Sequence, residues 1–82
     1  MDSPQQQLDN ITRQLEQPLP PETAAELHFS AGKLLFQMGQ RGRAIAEYAK
    51  AVELNPECSR YATALEFSRD IENFYNPDLL NP

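Results

Sequence analysis

The sequence has little cysteine, little basic charge and no long apolar run. Its 82 residues include one cysteine, which excludes an internal disulfide. The chain has seven lysines and arginines and 12 aspartates and glutamates, which gives a net charge of −5. This charge argues against nucleic acid and against an anionic membrane surface as partners. No apolar run reaches the length that spans a bilayer, so we expect no membrane segment.

Patterns typical of catalysis and cofactor binding are also missing. No nucleophile is paired with a base, and no glycine-rich loop is suited to hold a phosphate. A zinc site needs three or four ligands, whereas the chain offers one histidine, His28, and one cysteine, Cys58. We interpret Glu66 and Asp70, on one helix face, as a solvated surface. We therefore expect no enzyme activity, no cofactor and no metal.

The first residues also lack the basic start and the apolar stretch of a signal peptide. Together with the single cysteine, this predicts a cytoplasmic protein. The length allows one domain with a small core.

What the sequence does contain is helical periodicity, and no stretch alternates with the period of a strand. The first helix should begin at Ser3, because a Ser-Pro start with Gln6 three residues after the serine is a capping pattern. Leu8, Ile11 and Leu15 then give it one apolar stripe. Prolines from Pro18 onwards end it.

The second predicted helix is apolar on two opposite sides, so it needs more than one neighbour and should be the central helix. One side contains Leu27, Ala31, Leu34, Leu35 and Met38, and the other contains Ala25, Phe29, Gly32 and Phe36. Glu26, Ser30, Lys33 and Gln37 form a polar strip. We expect Gly39 to close this helix in the left-handed conformation.

The third helix is predicted over 41–54, with Arg43, Glu47 and Lys50 on a solvated face. Asn55, Pro56 and Glu57 should end it and begin a fourth helix that runs to about Tyr75.

Nine residues within 25–58 have a characteristic spacing, in which small residues are interspersed with larger ones. In chain order they are His28, Ala31, Gly32, Leu35, Gly39, Ala44, Tyr48, Ala51 and Pro56. This pattern resembles the tetratricopeptide repeat, a helix-turn-helix unit of about 34 residues. Small residues stand where helix axes would cross closely. Three positions depart from the usual residue types, with His28 for tryptophan, Ala31 for leucine and Leu35 for tyrosine.

The resemblance implies an all-α fold of antiparallel helix hairpins in a right-handed stack of about four helices. Residues 1–82 would form a single domain. Its parts would be a degenerate half repeat at 4–17, a complete repeat at 22–56, a capping helix at 57–76 and a tail at 77–82.

The resemblance also implies a noncatalytic adaptor or scaffold that holds a peptide or a partner helix in a concave groove. Carried over by position, the groove residues are Glu26, Phe29, Lys33, Phe36, Gln37, Arg60, Thr63 and Phe67. The three phenylalanines would be the anchors, and Lys33 and Arg60 the orienting charges.

Several alternatives stay open from the sequence. Phe29 and Phe36 could instead be packed under the flanking helices, as most aromatic residues at helical spacing are. Lys33 could be an ordinary solvated lysine. The same apolar surface could serve a homodimer, because a unit this small gains stability by association. A helix-turn-helix nucleic-acid binder is the least favoured, given the charge.

Overall fold

The chain folds into four helices, seen in a computed structural model that describes residues 3–74 without the side chain of Phe74. They are α1 (Pro4–Leu15), α2 (Pro21–Gln37), α3 (Arg41–Leu54) and α4 (Ser59–Phe74). No strand occurs within 3–74. The predicted all-α helical stack is therefore confirmed. The predicted helix end at Tyr75 and the tail at 77–82 lie outside the described residues.

Local sequence signals set the start of α1. The Ser3 hydroxyl accepts a hydrogen bond from the Gln6 backbone N–H at 3.2 Å, and the Gln6 side chain accepts one from the Ser3 N–H at 3.0 Å. This reciprocal pair is the expected capping box. The helix ends at Leu15, where the N–H groups of Glu16 and Gln17 bond to carbonyls only three residues earlier.

The turn between α2 and α3 has the predicted left-handed glycine, with Gly39 at φ 81°. The Gln40 N–H bonds to the Leu35 carbonyl at 2.9 Å, and the Gly39 N–H bonds to the Phe36 carbonyl at 3.1 Å. These two bonds close α2 in a Schellman motif, so α3 folds straight back on α2 as a hairpin.

The fourth helix begins later than predicted. Asn55 leaves α3 in a non-helical conformation, with φ −143° and ψ 76°, and a turn at Pro56 and Glu57 separates the helices. Because the Cys58 N–H bonds to the Asn55 carbonyl, the proline belongs to this turn and α4 starts only at Ser59. The predicted start at Pro56 and Glu57 is wrong for that reason.

The core lies along α2 and receives side chains from all four helices. Its larger cluster contains Leu8, Ala31, Leu35, Ala44, Tyr48 and Leu65, and its smaller cluster contains Ala25, Ala51 and Tyr61. Gly32 faces the Tyr48 ring so closely that an added Cβ would lie 2.6 Å from two ring carbons. Small residues therefore do stand where α2 and α3 meet.

A polar contact also joins this hairpin. His28 Nδ1 on α2 lies 2.6 Å from Glu47 Oε2 on α3, and both side chains are largely buried. Glu47 was predicted to lie on a solvated face, which is wrong because His28, at the position usually held by tryptophan, draws its carboxylate inward. Lys50, 3.6 Å away on the same helix, remains exposed beside it.

Within residues 3–74, no helix combines the length and the apolar character needed to cross a bilayer.

Candidate functional site

An open groove of about 560 Å³ lies between α2 and α4. Its lining residues are Phe29 and Lys33 on α2, and Ser59, Arg60, Thr63, Ala64 and Phe67 on α4. On each helix the lining recurs every three or four positions, so it forms one stripe along the surface that faces the other helix. The groove exists because α4 packs mainly against α3 and makes few backbone-level contacts with α2, which leaves the facing surfaces of α2 and α4 apart.

Five of the eight residues predicted for a binding groove line it, namely Phe29, Lys33, Arg60, Thr63 and Phe67. The other three, Glu26, Phe36 and Gln37, are not part of the lining. Sequence reasoning missed Ser59 and Ala64. The spacing of Ala64, four residues after Arg60 and three before Phe67, was a usable signal.

Of the three residues outside the lining, Phe36 contacts the groove residue Phe67 and Gln37 lies on another surface. The Phe36 ring is half-buried against the core, with its centroid 6.4 Å from that of Phe67. Gln37 lines a smaller depression of about 270 Å³ between α1 and α2, to which Lys33 also contributes. Glu26 contacts α4 at the end of the groove where Arg60 lies.

Phe29 belongs to the core and to the groove together. Its ring centroid lies 4.9 Å from that of Tyr61 and 5.6 Å from that of Tyr48, and it packs against both core clusters. It is nevertheless only half-buried and lines the groove. Phe67 differs from it, because 59% of Phe67 is exposed. The groove thus has one aromatic residue set in its floor and one free at its edge.

Two cations lie beside the Phe29 ring. Lys33 Nζ is 5.6 Å and the Arg60 guanidinium carbon 5.7 Å from its centroid, within the range of cation–π attraction. Arg60 lies at the same distance of 5.7 Å from the Tyr61 ring. The described lining contains these two positive groups and no carboxylate. In a chain of net charge −5, the groove is therefore a local positive surface.

Glu26 links this positive end to the core. Its carboxylate accepts a short hydrogen bond from the Tyr61 hydroxyl and lies 3.4 Å from an Arg60 nitrogen. The bond to Glu26 holds the phenolic proton and, with burial, raises the pKa of Tyr61 to about 12. Helical periodicity could not predict this contact, since it joins two different helices through residues 35 positions apart.

Arg60 also acts on Cys58, which precedes α4. Partial burial raises the pKa of the thiol, but hydrogen bonds from the Tyr61 backbone N–H and from Arg60 favour the thiolate and lower the pKa overall. The same contact, with the Glu26 charge, raises the pKa of the Arg60 guanidinium. Arg60 therefore remains a permanent cation at the groove.

The Tyr61 contact predicts a loss of stability in alkali. In the unfolded chain a tyrosine ionises near pH 10, as in model peptides, whereas the folded-state pKa is about 12. The unfolded state therefore loses its proton first, and the stabilisation present below pH 10 is lost as pH rises towards 12. We expect the free energy of unfolding in urea to fall between pH 9 and pH 11.5.

Tyr61→Phe should remove most of that fall. A smaller slope should remain from Tyr48, because burial raises the pKa of that phenol as well. Equal pH dependence in the wild type and in Tyr61→Phe would contradict the role given to Glu26.

The described residues 3–74 contain no group of three or more histidine, cysteine, aspartate or glutamate side chains placed to hold a metal ion.

Comparison with known families identifies the central hairpin. The model of the tetratricopeptide repeat family matches residues 25–58. The match covers α2 from its buried Ala25 onwards, all of α3 and the turn to Cys58. The resemblance read from the spacing is confirmed for this segment. No curated protein and no solved structure matches the chain significantly.

Proposed function

Because residues 25–58 are a tetratricopeptide repeat, we propose that this protein is a noncatalytic adaptor that holds a segment of a partner protein in the groove between α2 and α4. Repeats of this family are in general protein-interaction modules. The observation that carries the proposal is Phe67, a large aromatic side chain left 59% exposed in a groove whose lining also contains the cations Lys33 and Arg60. Aromatic residues next to polar groups are the usual anchors of protein interfaces.

The groove residues would have different roles. Phe67 would be the anchor that contacts the partner, and the Phe36 ring would pack against Phe67. Phe29 would form the apolar floor of the groove. Lys33 and Arg60 would orient the bound segment, and the Thr63 hydroxyl could donate or accept a hydrogen bond. Glu26 would act through Arg60, and Gln37 would extend the surface towards α1.

The proposal predicts that partner capture depends on Phe67 and Lys33. Proteins retained by the immobilised wild type and identified by mass spectrometry should be lost with the double variant Phe67→Ala, Lys33→Glu. Truncation of a central anchor commonly costs about 2 kcal/mol or more of binding free energy. Both side chains are exposed, so helix content by circular dichroism should be unchanged.

Arg69→Glu is the matched control. Arg69 is an exposed arginine on α4 and lies nine positions from Arg60, which places it on the opposite side of the helix. This variant should retain the partners captured by the wild type. Equal capture by the groove variant and the wild type would overturn the assignment of the groove. Phe29→Ala is unsuitable here, because Phe29 also packs against both core clusters.

The exposure of Phe67 also favours a second candidate, a homodimer in which two copies cover each other's groove. Sedimentation velocity over a range of concentrations separates the two candidates. A mass that doubles with concentration in the wild type but not in Phe67→Ala would support the dimer, and a monomer throughout would dismiss it. The cytoplasmic location expected from the sequence stays a prediction.

A further inference from the structure

We infer that the groove takes a partner segment with an acidic side chain within a few residues of a large apolar one, and that Glu26 competes with that acidic group for Arg60. The inference rests on the proposed function. It adds the chemistry of the partner and gives Glu26 a role in setting affinity rather than in contacting the partner.

The charge of the groove supports the acidic partner. Lys33 on α2 and Arg60 on α4 both lie beside the Phe29 ring. Among residues 3–74, the lining of the groove includes no aspartate or glutamate. Ser59 and Arg60 are the first residues of α4, so the positive end of the α4 helix dipole lies at the end of the groove where Arg60 is. An incoming carboxylate would meet these groups, whereas a basic segment would be repelled.

The apolar surface supports the second half of the motif. Phe67 and Ala64 lie one turn apart on α4, next to Thr63, and are continuous with the Phe29 floor. A large apolar side chain placed there would cover the exposed part of Phe67. Arg60 lies two turns before Phe67, about 10 Å along α4. The partner therefore needs its acidic and apolar groups within about three residues of each other in an extended segment.

The Arg60–Glu26 contact identifies the competitor. Their closest atoms are 3.4 Å apart, and the two side chains remain 65% and 51% exposed. Such an open ion pair is weak, so the guanidinium can turn to a partner carboxylate at little cost. Glu26 would not be left alone, because the Tyr61 hydroxyl still donates to it. Glu26 thus stands where an acidic ligand group would bind and lowers the affinity for it.

The test begins with a library of random ten-residue peptides displayed as internal loops, so that no free chain end takes part. Selection on the wild type should enrich aspartate or glutamate within about three residues of a large apolar residue, and Phe67→Ala should not retain these sequences. On the double variant Lys33→Glu, Arg60→Glu, selection should instead favour lysine or arginine. Arg69→Glu should select the same peptides as the wild type.

The role of Glu26 is tested with one enriched peptide, made with blocked ends, and its glutamine analogue. Glu26→Gln should bind the acidic peptide about two- to fivefold more tightly, as expected from removing one exposed competing ion pair. The amide can still accept from Tyr61, so the fold is kept. The glutamine analogue should bind the wild type more weakly and gain nothing from Glu26→Gln, which makes the effect a pairwise coupling.

The outcomes separate the inference from the proposed function. Enriched peptides that depend on Phe67 but carry no acidic residue would overturn the inference and leave the groove as a binding site. Equal or weaker binding of the acidic peptide to Glu26→Gln would overturn the competition. If no peptide depends on Phe67 or Lys33, both the groove and the inference fail.

Discussion

Gly32→Ala should destabilise the protein by about 1 to 3 kcal/mol, the usual cost of forcing extra atoms into a packed core. The new Cβ would lie 2.6 Å from Cδ1 and Cε1 of Tyr48 and 3.1 Å from its Cζ. The ring cannot easily retreat, because Tyr48 is buried and packs against Phe29. Alanine is better than glycine in a helix by about 1 kcal/mol, but we expect the steric clash to outweigh that gain.

Urea unfolding followed by circular dichroism measures this effect, and Gly42→Ala is its control. Gly42 is also helical, in the first turn of α3, and an added Cβ there would meet nothing within 4 Å. The control variant should therefore be at least as stable as the wild type, with a gain below the value of about 0.5 to 1 kcal/mol that applies to helix interiors. If both variants were equally stable, the close approach of α2 and α3 at Gly32 would be contradicted.

Leu35→Ala should strongly destabilise the protein. Leu35 is 1% exposed and lies in the larger core cluster with residues from α1, α3 and α4. Removing a fully buried leucine side chain costs about 2 to 5 kcal/mol. A domain of this size has a total stability of only about 4 to 12 kcal/mol, at the usual contribution per residue. We therefore expect a large drop in Tm or loss of the cooperative transition.

Leu54→Ala provides the comparison for this truncation. Leu54 is the same residue type and ends α3, but it is 39% exposed. Its truncation should cost about 1 kcal/mol, clearly less than at Leu35, because more than a third of the residue is already exposed to water. Similar thermal unfolding of the two variants would show that the core is not centred on α2.

The dual position of Phe29 affects how function can be tested. Because its ring contacts Tyr48 and Tyr61 and also lines the groove, any change at Phe29 alters stability and binding together. Phe67 and Lys33 are exposed, so their variants report on binding with little effect on folding. The two interpretations that the sequence left open for Phe29 therefore describe two faces of one ring.

Features that depend on neighbouring residues were predictable. The Ser3 capping box and the left-handed Gly39 follow from hydrogen bonds and backbone conformations within a few positions, so residue type alone indicates them. The helix pair at 25–58 was recognisable for a related reason, since helical spacing places small residues on one face. The start of α4 was missed because proline suits both a turn and a first helical turn, and the Asn55 conformation decided between them.

The sequence by itself determined the four-helix class, the central place of α2 and the repeat at 25–58, because each depends on periodicity along the chain. Only the tertiary structure decided which polar groups meet. Glu26 bonds to Tyr61, and His28 bonds to Glu47, across 35 and 19 positions. Helical spacing gives the direction of a side chain but not the distance between helices, and these contacts depend on that distance. The open groove beside Arg60 exists for the same reason.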